Sequence, residues 1–278
     1  MMPVETSDSP ARFDPQFITR EDVADLASFT GMSADDCRER VHNYSMDEMA
    51  RAWENAKPSS PCEIMNFYRS TDFYVWELMQ WHASAARAPY WEALYSFVDS
   101  YPAAQGFPRV FDFGCGVGTD ALFLAERGYE VTAVDVKGPT LEFARHRLAR
   151  RGLRAHFVES TSEIPTLDGS FDAAVCFDVF EHLPDPIAAA RALVEGLRSG
   201  GILLQQATFD NSGVHPCHLG SGIQRFSGLR WHINLTGMGM KSDGPLRYAK
   251  CSGISQWMQR SRYDLWRATG LWLIKVDG

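Results

Sequence analysis

Three glycines at alternate positions, Gly114, Gly116 and Gly118, sit in FDFGCGVGT (111–119), where a strand-like run gives way to a helical one. Glycine at such a junction lets backbone approach a ligand, and the free N–H groups and positive dipole of the helix start favour an anion. A dinucleotide fingerprint needs a glycine three residues past Gly116, and the chain has Thr119 there. The turn therefore suits a ligand with a carboxylate and a nucleoside better than one with a pyrophosphate. Asp135 closes the next strand-like run, 21 residues past Gly114. Its two oxygens match the paired hydroxyls of a ribose, while the plainer reading is a turn residue or a helix N-cap.

Two further groups carry chemistry. Glu181-His182-Leu183-Pro184 follows the run FDAAVCFD. An acid beside an imidazole can work as a base, ligate a divalent cation, or fix the loop into the following helix. His215-Pro216-Cys217-His218 puts three soft ligands within four residues. That spacing across a proline suits tetrahedral zinc poorly, and no second ligand segment accompanies it, so no metal is expected. Each of His218, His215 and His182 is a candidate base, because imidazole titrates near working pH. Pro216 stiffens the turn that would aim His218.

These residues need a frame. From Arg109 strand-like and helix-like runs alternate: RVFDFG, GTDALFLAERG, YEVTAVD, PTLEFARHRLARRG, RAHFVES, FDAAVCFD, PIAAARALVEGLRSG and GILLQQAT. That alternation predicts an α/β fold, an open and mostly parallel sheet with helices on both faces. Ligands on such sheets lie beyond the C-terminal strand ends, at the switch point. GLWLIKV (270–276) is the candidate final strand, whereas SGLRWHINL (227–235) and SQWMQRSRYDLW (255–266) fit helix or strand. The basic run from Arg145 to Arg151 reads as a solvated helix face, favoured by the helix dipole.

Upstream, capping signals at Thr19, Ser33 and Ser45–Glu48 predict three short helices, and KPSSP (57–61) reads as a linker. Residues 62–101 hold two aromatic-dense helices, the second started by Pro89. The expected division is a small helical bundle (1–60), an aromatic helical lid (61–105) and a core (106–278). The chain has 278 residues with 27 Lys+Arg against 35 Asp+Glu, a net charge of −8. That sign disfavours nucleic acid and anionic membrane as partners. The six cysteines form no CxxC pair, and the N-terminus lacks a basic region followed by an apolar one. Reduced thiols and a cytoplasmic location are the expectation.

FDFGCGVGT, the VDV at 134–136 and FDAAVCFDVFEHLPDP (171–186) resemble class I S-adenosylmethionine-dependent methyltransferases. The likeness spans about residues 106–210 and is nearest the small-molecule branch that includes ubiquinone-biosynthesis O-methyltransferases. It implies a Rossmann-like, seven-stranded core, with S-adenosylmethionine as cofactor and S-adenosylhomocysteine as product. Gly114, Cys115 and Gly116 would then line the methionine moiety, Asp135 would hold the ribose and Val136 would meet the adenine. Thr161 and Ser162 would bound the adenine's amino edge, where many relatives carry an acid. Phe177, Asp178 and Val179 would flank the transferring methyl, and Tyr68 and Arg69 would reach the carboxylate. The acceptor would be a small-molecule hydroxyl, with nitrogen or carbon as the alternative. A nicotinamide oxidoreductase conflicts with Thr119. A cofactor-sensing interaction protein whose first bundle (19–56) recruits a partner is the non-catalytic alternative, and a homo-oligomer or partner through the N-terminal helices is expected in either case.

Overall fold

The N-terminal third forms six α-helices whose ends are set by local chemistry. They are α1 (Arg20–Thr30), α2 (Ala34–His42), α3 (Met46–Ala56), α4 (Pro61–Ser70), α5 (Phe73–His82) and α6 (Ala88–Ser100). The Thr19 and Ser33 side chains accept from the N–H groups of Asp22 and Asp36, and Gly31 ends α1 at φ 75°. One expectation changes: Ser45 accepts from Asp47 N–H, and the capping box forms instead between Ser60, in the expected linker joining α3 to α4, and Glu63 of α4. The Glu63 carboxylate collects the N–H groups of Ser59 and Ser60, which hold its pKa down to about 2. Replacing Ser60 by alanine should cost about 1 kcal/mol of stability in a denaturant titration, because it frees a helix N-terminus already fixed by Pro61 at its first turn.

This computed structural model describes residues 18–160, 167–209, 218–219, 222, 225–253, 257–258, 261, 263–265 and 268. The candidate strand 270–276 lies outside them. The sheet contains β1 (Arg109–Phe113), β2 (Glu130–Val136), β3 (His156–Ser160), β4 (Phe171–Phe177), β5 (Leu197–Gln206), β6 (Met240–Gly244) and β7 (Arg247–Lys250). Their order is β3-β2-β1-β4-β5-β7-β6. The first five pair in parallel, and β7 joins β5 and β6 antiparallel. The hairpin β6–β7 has no counterpart in the sequence reading, because MKSDG and RYAK lack apolar alternation. The fold is thus the expected Rossmann-like, seven-stranded sheet, with one antiparallel strand.

Period-two alternation sorts the strands' side chains onto two faces. Ala173, Val175, Ile202 and Leu204 join one apolar cluster with Tyr90, Leu94 and Phe97 of α6. The same cluster takes in Leu124 of α7 (Thr119–Ala125) and Leu141 of α8 (Pro139–Arg150). Ala174, Cys176 and Leu203 face the other way, against Ala190 and Leu193 of α9 (Pro186–Gly196) and Trp231 and Leu235 of α10 (Leu229–Gly237). SGLRWHINL is therefore helical over most of its length. Helix α9 ends at Gly196, short of the glycine pair 200–201, because Leu197 already pairs with Phe171 in the sheet.

Helices α1 and α2 bury Val23, Leu26, Cys37 and Val41 against Val75, Trp76 and Met79 of α5 and Phe143 of α8. Helix α3 sets Met49 against Phe67 of α4. The basic run of α8 is not a solvated face. Arg147 is 2% exposed, and Arg147, Arg150 and Arg151 all reach Asp25 of α1.

Candidate active site

The chain runs from β1 outward to β3 and then returns to the other side of β1 as β4. Beyond the C-terminal ends of β1 and β4, at this switch point, lies a cavity of about 500 Å³. Gly114 and Gly116 line it with left-handed backbone at φ 74° and 54°. The N–H groups of Gly114 and Cys115 both donate to Val134 O, at 2.8 and 3.0 Å, which fixes the turn to β2. A Cβ at Gly114 would collide with Val179, and one at Gly116 would lie 2.7 Å from Leu78 Cδ1. The positive φ calls for glycine at both positions, and at Gly114 the branched Val179 side chain also denies a Cβ its space.

Asp135 ends β2 half-buried beside this turn. Its Oδ2 accepts from Gly116 N–H and its Oδ1 from Val136 N–H, each at 2.6 Å. A carboxylate oxygen has a second acceptor position, so the orienting bonds leave one position per oxygen for a pair of hydroxyls. Burial pushes this carboxyl up to about 6, against the pull of the two N–H bonds.

Asp178 follows β4 at φ 54°, a conformation rare outside glycine and asparagine-like residues. It accepts the Tyr90 hydroxyl at 2.8 Å. Burial and the Asp178 charge raise the Tyr90 phenol, so Tyr90 keeps its proton and donates it. The Tyr90 ring packs edge-on against Phe177 (5.1 Å) and Trp81 (6.0 Å). Behind it, Arg87 grips Asp120 at 2.5 and 2.7 Å, a buried two-point pair. His82 Nδ1 lies 2.7 Å from Thr119 Oγ1, which also accepts from Arg147 at 3.0 Å. Burial, Arg87 and Arg147 keep His82 neutral. Thr119, the residue that breaks the dinucleotide fingerprint, is thus a hydrogen-bonding hub between α5 and α8.

A third group faces the cavity from a 3₁₀ turn at Phe180–His182. The Tyr68 hydroxyl is 3.3 Å from His182 Nδ1, and the rings of His182 and His218 meet edge-on at 4.8 Å. Buried Glu181 accepts Thr208 N–H at 2.8 Å, and its backbone oxygen accepts Leu219 N–H at 3.0 Å. Glu181 thereby ties the exit of β4 to the segment after β5. Glu181, His182 and His218 offer one ligand atom each within 4.8 Å of one another, a spacing a divalent cation can use.

Of the expected cofactor residues, Tyr68 lines the cavity together with the turn Gly114, Cys115 and Gly116. Asp135, Val136, Phe177, Asp178 and Val179 line it as well. Arg69 does not: it is exposed on the last turn of α4 and absent from the cavity wall. Thr161, Ser162 and His215 lie outside the described residues. Sequence reasoning missed Glu77, His82, Arg87 and Asp120. Tyr74, Glu77, Leu78, Trp81 and His82 share one helical spacing that marks a face, whereas Arg87 and Asp120 are 33 positions apart with no local pattern joining them.

Known proteins are similar to part of this chain. A family profile described as a methyltransferase domain matches residues 111–205. An uncharacterised Synechococcus protein is 36% identical over 135 residues, 47% of this chain and 30% of its own length. The ubiquinone biosynthesis O-methyltransferase of Xanthomonas campestris is 32% identical over 148 residues, 48% of this chain and 61% of its own length. A solved S-adenosylmethionine-dependent methyltransferase from Methanosarcina mazei is 28% identical over 38% of this chain and 56% of that one, with a TM-score of 0.33. This chain spans less than two thirds of either curated relative. The doubly wound sheet and its glycine turn make an α/β core with its cavity at the switch point. Residues 111–205 of that core match a methyltransferase domain, and the ubiquinone biosynthesis O-methyltransferases are similar to it over part of their length. Among the described residues no helix is long and apolar enough to cross a membrane.

Proposed function

We propose that this protein binds S-adenosylmethionine and methylates a hydroxyl on a small molecule. The observation that carries the reading is Asp135, oriented by the Gly116 and Val136 N–H groups with acceptor positions left for a ribose diol. When bound, the cofactor supplies an electrophilic methyl on a sulfonium. The glycine turn admits its methionine moiety, Asp135 holds its ribose, and Val136 lies against its adenine. Helices α4, α5 and α6 act as the lid that excludes water and positions the acceptor. The acceptor's proton passes to His182 or His218, and the ubiquinone O-methyltransferase relatives favour oxygen as the acceptor atom.

Calorimetry should show binding of both S-adenosylmethionine and S-adenosylhomocysteine, and no binding of either would end this reading. Hydrogen exchange over residues 62–101 should slow when cofactor and acceptor are both present, and an unchanged rate would remove the lid role. Alanine at His182 or at His218 should lower turnover about a hundredfold, with cofactor affinity intact and partial rescue at higher pH. Chelators should leave the wild-type rate unchanged. A rate that collapses with chelator and returns with added divalent cation would instead make Glu181, His182 and His218 ligands.

A further inference from the structure

Helix α5 is apolar nearly all round, yet it carries one carboxylate on its cavity side. Val75, Trp76 and Met79 pack toward α1, α2 and α8. Tyr74, Glu77, Leu78, Trp81 and His82 line the cavity at helical spacing. His82 is neutral and already bonded to Thr119. Glu77 has its Oε2 buried with no hydrogen-bond partner, and it joins no ion pair among the described residues. Burial alone pushes its carboxyl up to about 7. A buried polar atom left in this state is costly, and it calls for a partner such as a water, an ion or a ligand.

We infer that Glu77 anchors a protonated amine on the acceptor, so the compound methylated carries an ammonium group beside its acceptor hydroxyl. The substrate class rests on the methyl-transfer reading above. Two observations select a cation over a neutral donor. Tyr74 and Trp81 flank Glu77 on the same face, and aromatic rings beside a carboxylate make a site for ammonium. The cavity wall is also acidic: Glu77, Asp135, Asp178, Glu181 and Asp185 line it, while its Arg87 is committed to Asp120. A neutral hydroxyl at Glu77 leaves the carboxyl favouring its protonated form, whereas an ammonium pairs with the carboxylate and draws it into the charged form. The acceptor side of the cavity is indicated by Trp81, which packs on Tyr90, the donor to Asp178 at the end of β4.

The test is calorimetry on the protein saturated with S-adenosylhomocysteine, using tyramine and 4-propylphenol. The two share ring and hydroxyl and differ by an ammonium in place of a methyl. Wild type should bind tyramine at least tenfold more tightly. Glu77→Gln should erase that preference, leaving 4-propylphenol and S-adenosylhomocysteine affinities within twofold, and Glu77→Asp should retain part of it. Above pH 8, where a carboxyl held at about 7 is ionised, Glu77→Gln should also melt above wild type in the absence of ligand, because glutamine removes an uncancelled charge with little change of shape. No preference in wild type, or a preference that survives Glu77→Gln, overturns the assignment. So does a lower melting temperature, which would reveal a structural partner. Weakened S-adenosylhomocysteine binding in Glu77→Gln overturns it as well, because the carboxylate would then serve the cofactor. If wild type binds no S-adenosylhomocysteine, the methyl-transfer reading fails by itself, and the same tyramine preference measured on the ligand-free protein still decides the role of Glu77.

Discussion

Alanine at position 25 should destabilise the protein by about 3–5 kcal/mol, the cost of breaking a buried ion pair from one side. Asp25 on α1 is 0% exposed and accepts from Arg147 (3.3 Å), Arg150 (2.8 Å) and Arg151 (2.5 Å) of and just after α8. Arg147 is itself buried, and its other bonds run to Val117 O, Thr119 and Asp22. Removing Asp25 leaves part of that guanidinium charge uncancelled in a place water does not reach. Urea unfolding read by circular dichroism measures the effect, and a loss below about 1 kcal/mol would show that the network contributes only as exposed pairs do. Asp22 adds a pH signature. Burial raises its pKa, but Arg147, Thr19 and Arg151 outweigh that and hold it below 3.8. Its contribution is therefore complete above the unfolded value of 3.8 and is lost as pH falls through the lower folded value. The seam between α1 and α8 should open first in acid, visible as faster exchange of α1 amides.

Asp135→Ala should weaken S-adenosylhomocysteine binding by roughly 1–3 kcal/mol, about 5- to 150-fold, through loss of two charge-assisted hydrogen bonds. The variant also releases the Gly116 N–H that Asp135 holds at 2.6 Å, so part of the loss comes from a looser glycine turn. Asp135→Asn separates the two effects, since the amide oxygen can still accept one N–H while the charge is gone. The carboxyl sits at about 6 in the folded protein. Hydroxyls donate to the ionised form, so affinity should rise with pH from 5 to 7 in wild type and stay flat in Asp135→Asn. An Asp135→Ala variant that folds and binds at wild-type strength would remove the ribose assignment.

The parallel sheet and its glycine turn were legible in the chain because their signals are local. Strand runs such as FDAAVCF, Gly114 and Gly116 at a strand-to-helix junction, and Asp135 at a strand end are each readable within a few residues. Caps at Thr19 and Ser33 were readable for the same reason, since a hydroxyl three residues before an N–H needs no distant partner. What failed lacks such locality. The strands β6 and β7 carry no apolar alternation, because they extend the far edge of the sheet and leave much of their surface to solvent. The basic run at 145–151 is the same seven letters whether water or α1 covers it, and only packing places Asp22 and Asp25 over Arg147. The pairing of Arg87 with Asp120 and the enclosure of Glu77 likewise exist only after α5 and α6 close over the strand ends. Sequence by itself determined where a tight glycine turn joins strand to helix, because glycine and strand periodicity act over single turns of chain. Tertiary structure alone decided which charges are paired, which are buried and which still await a partner, because burial and ion pairing depend on surfaces brought together from residues tens to more than a hundred positions apart.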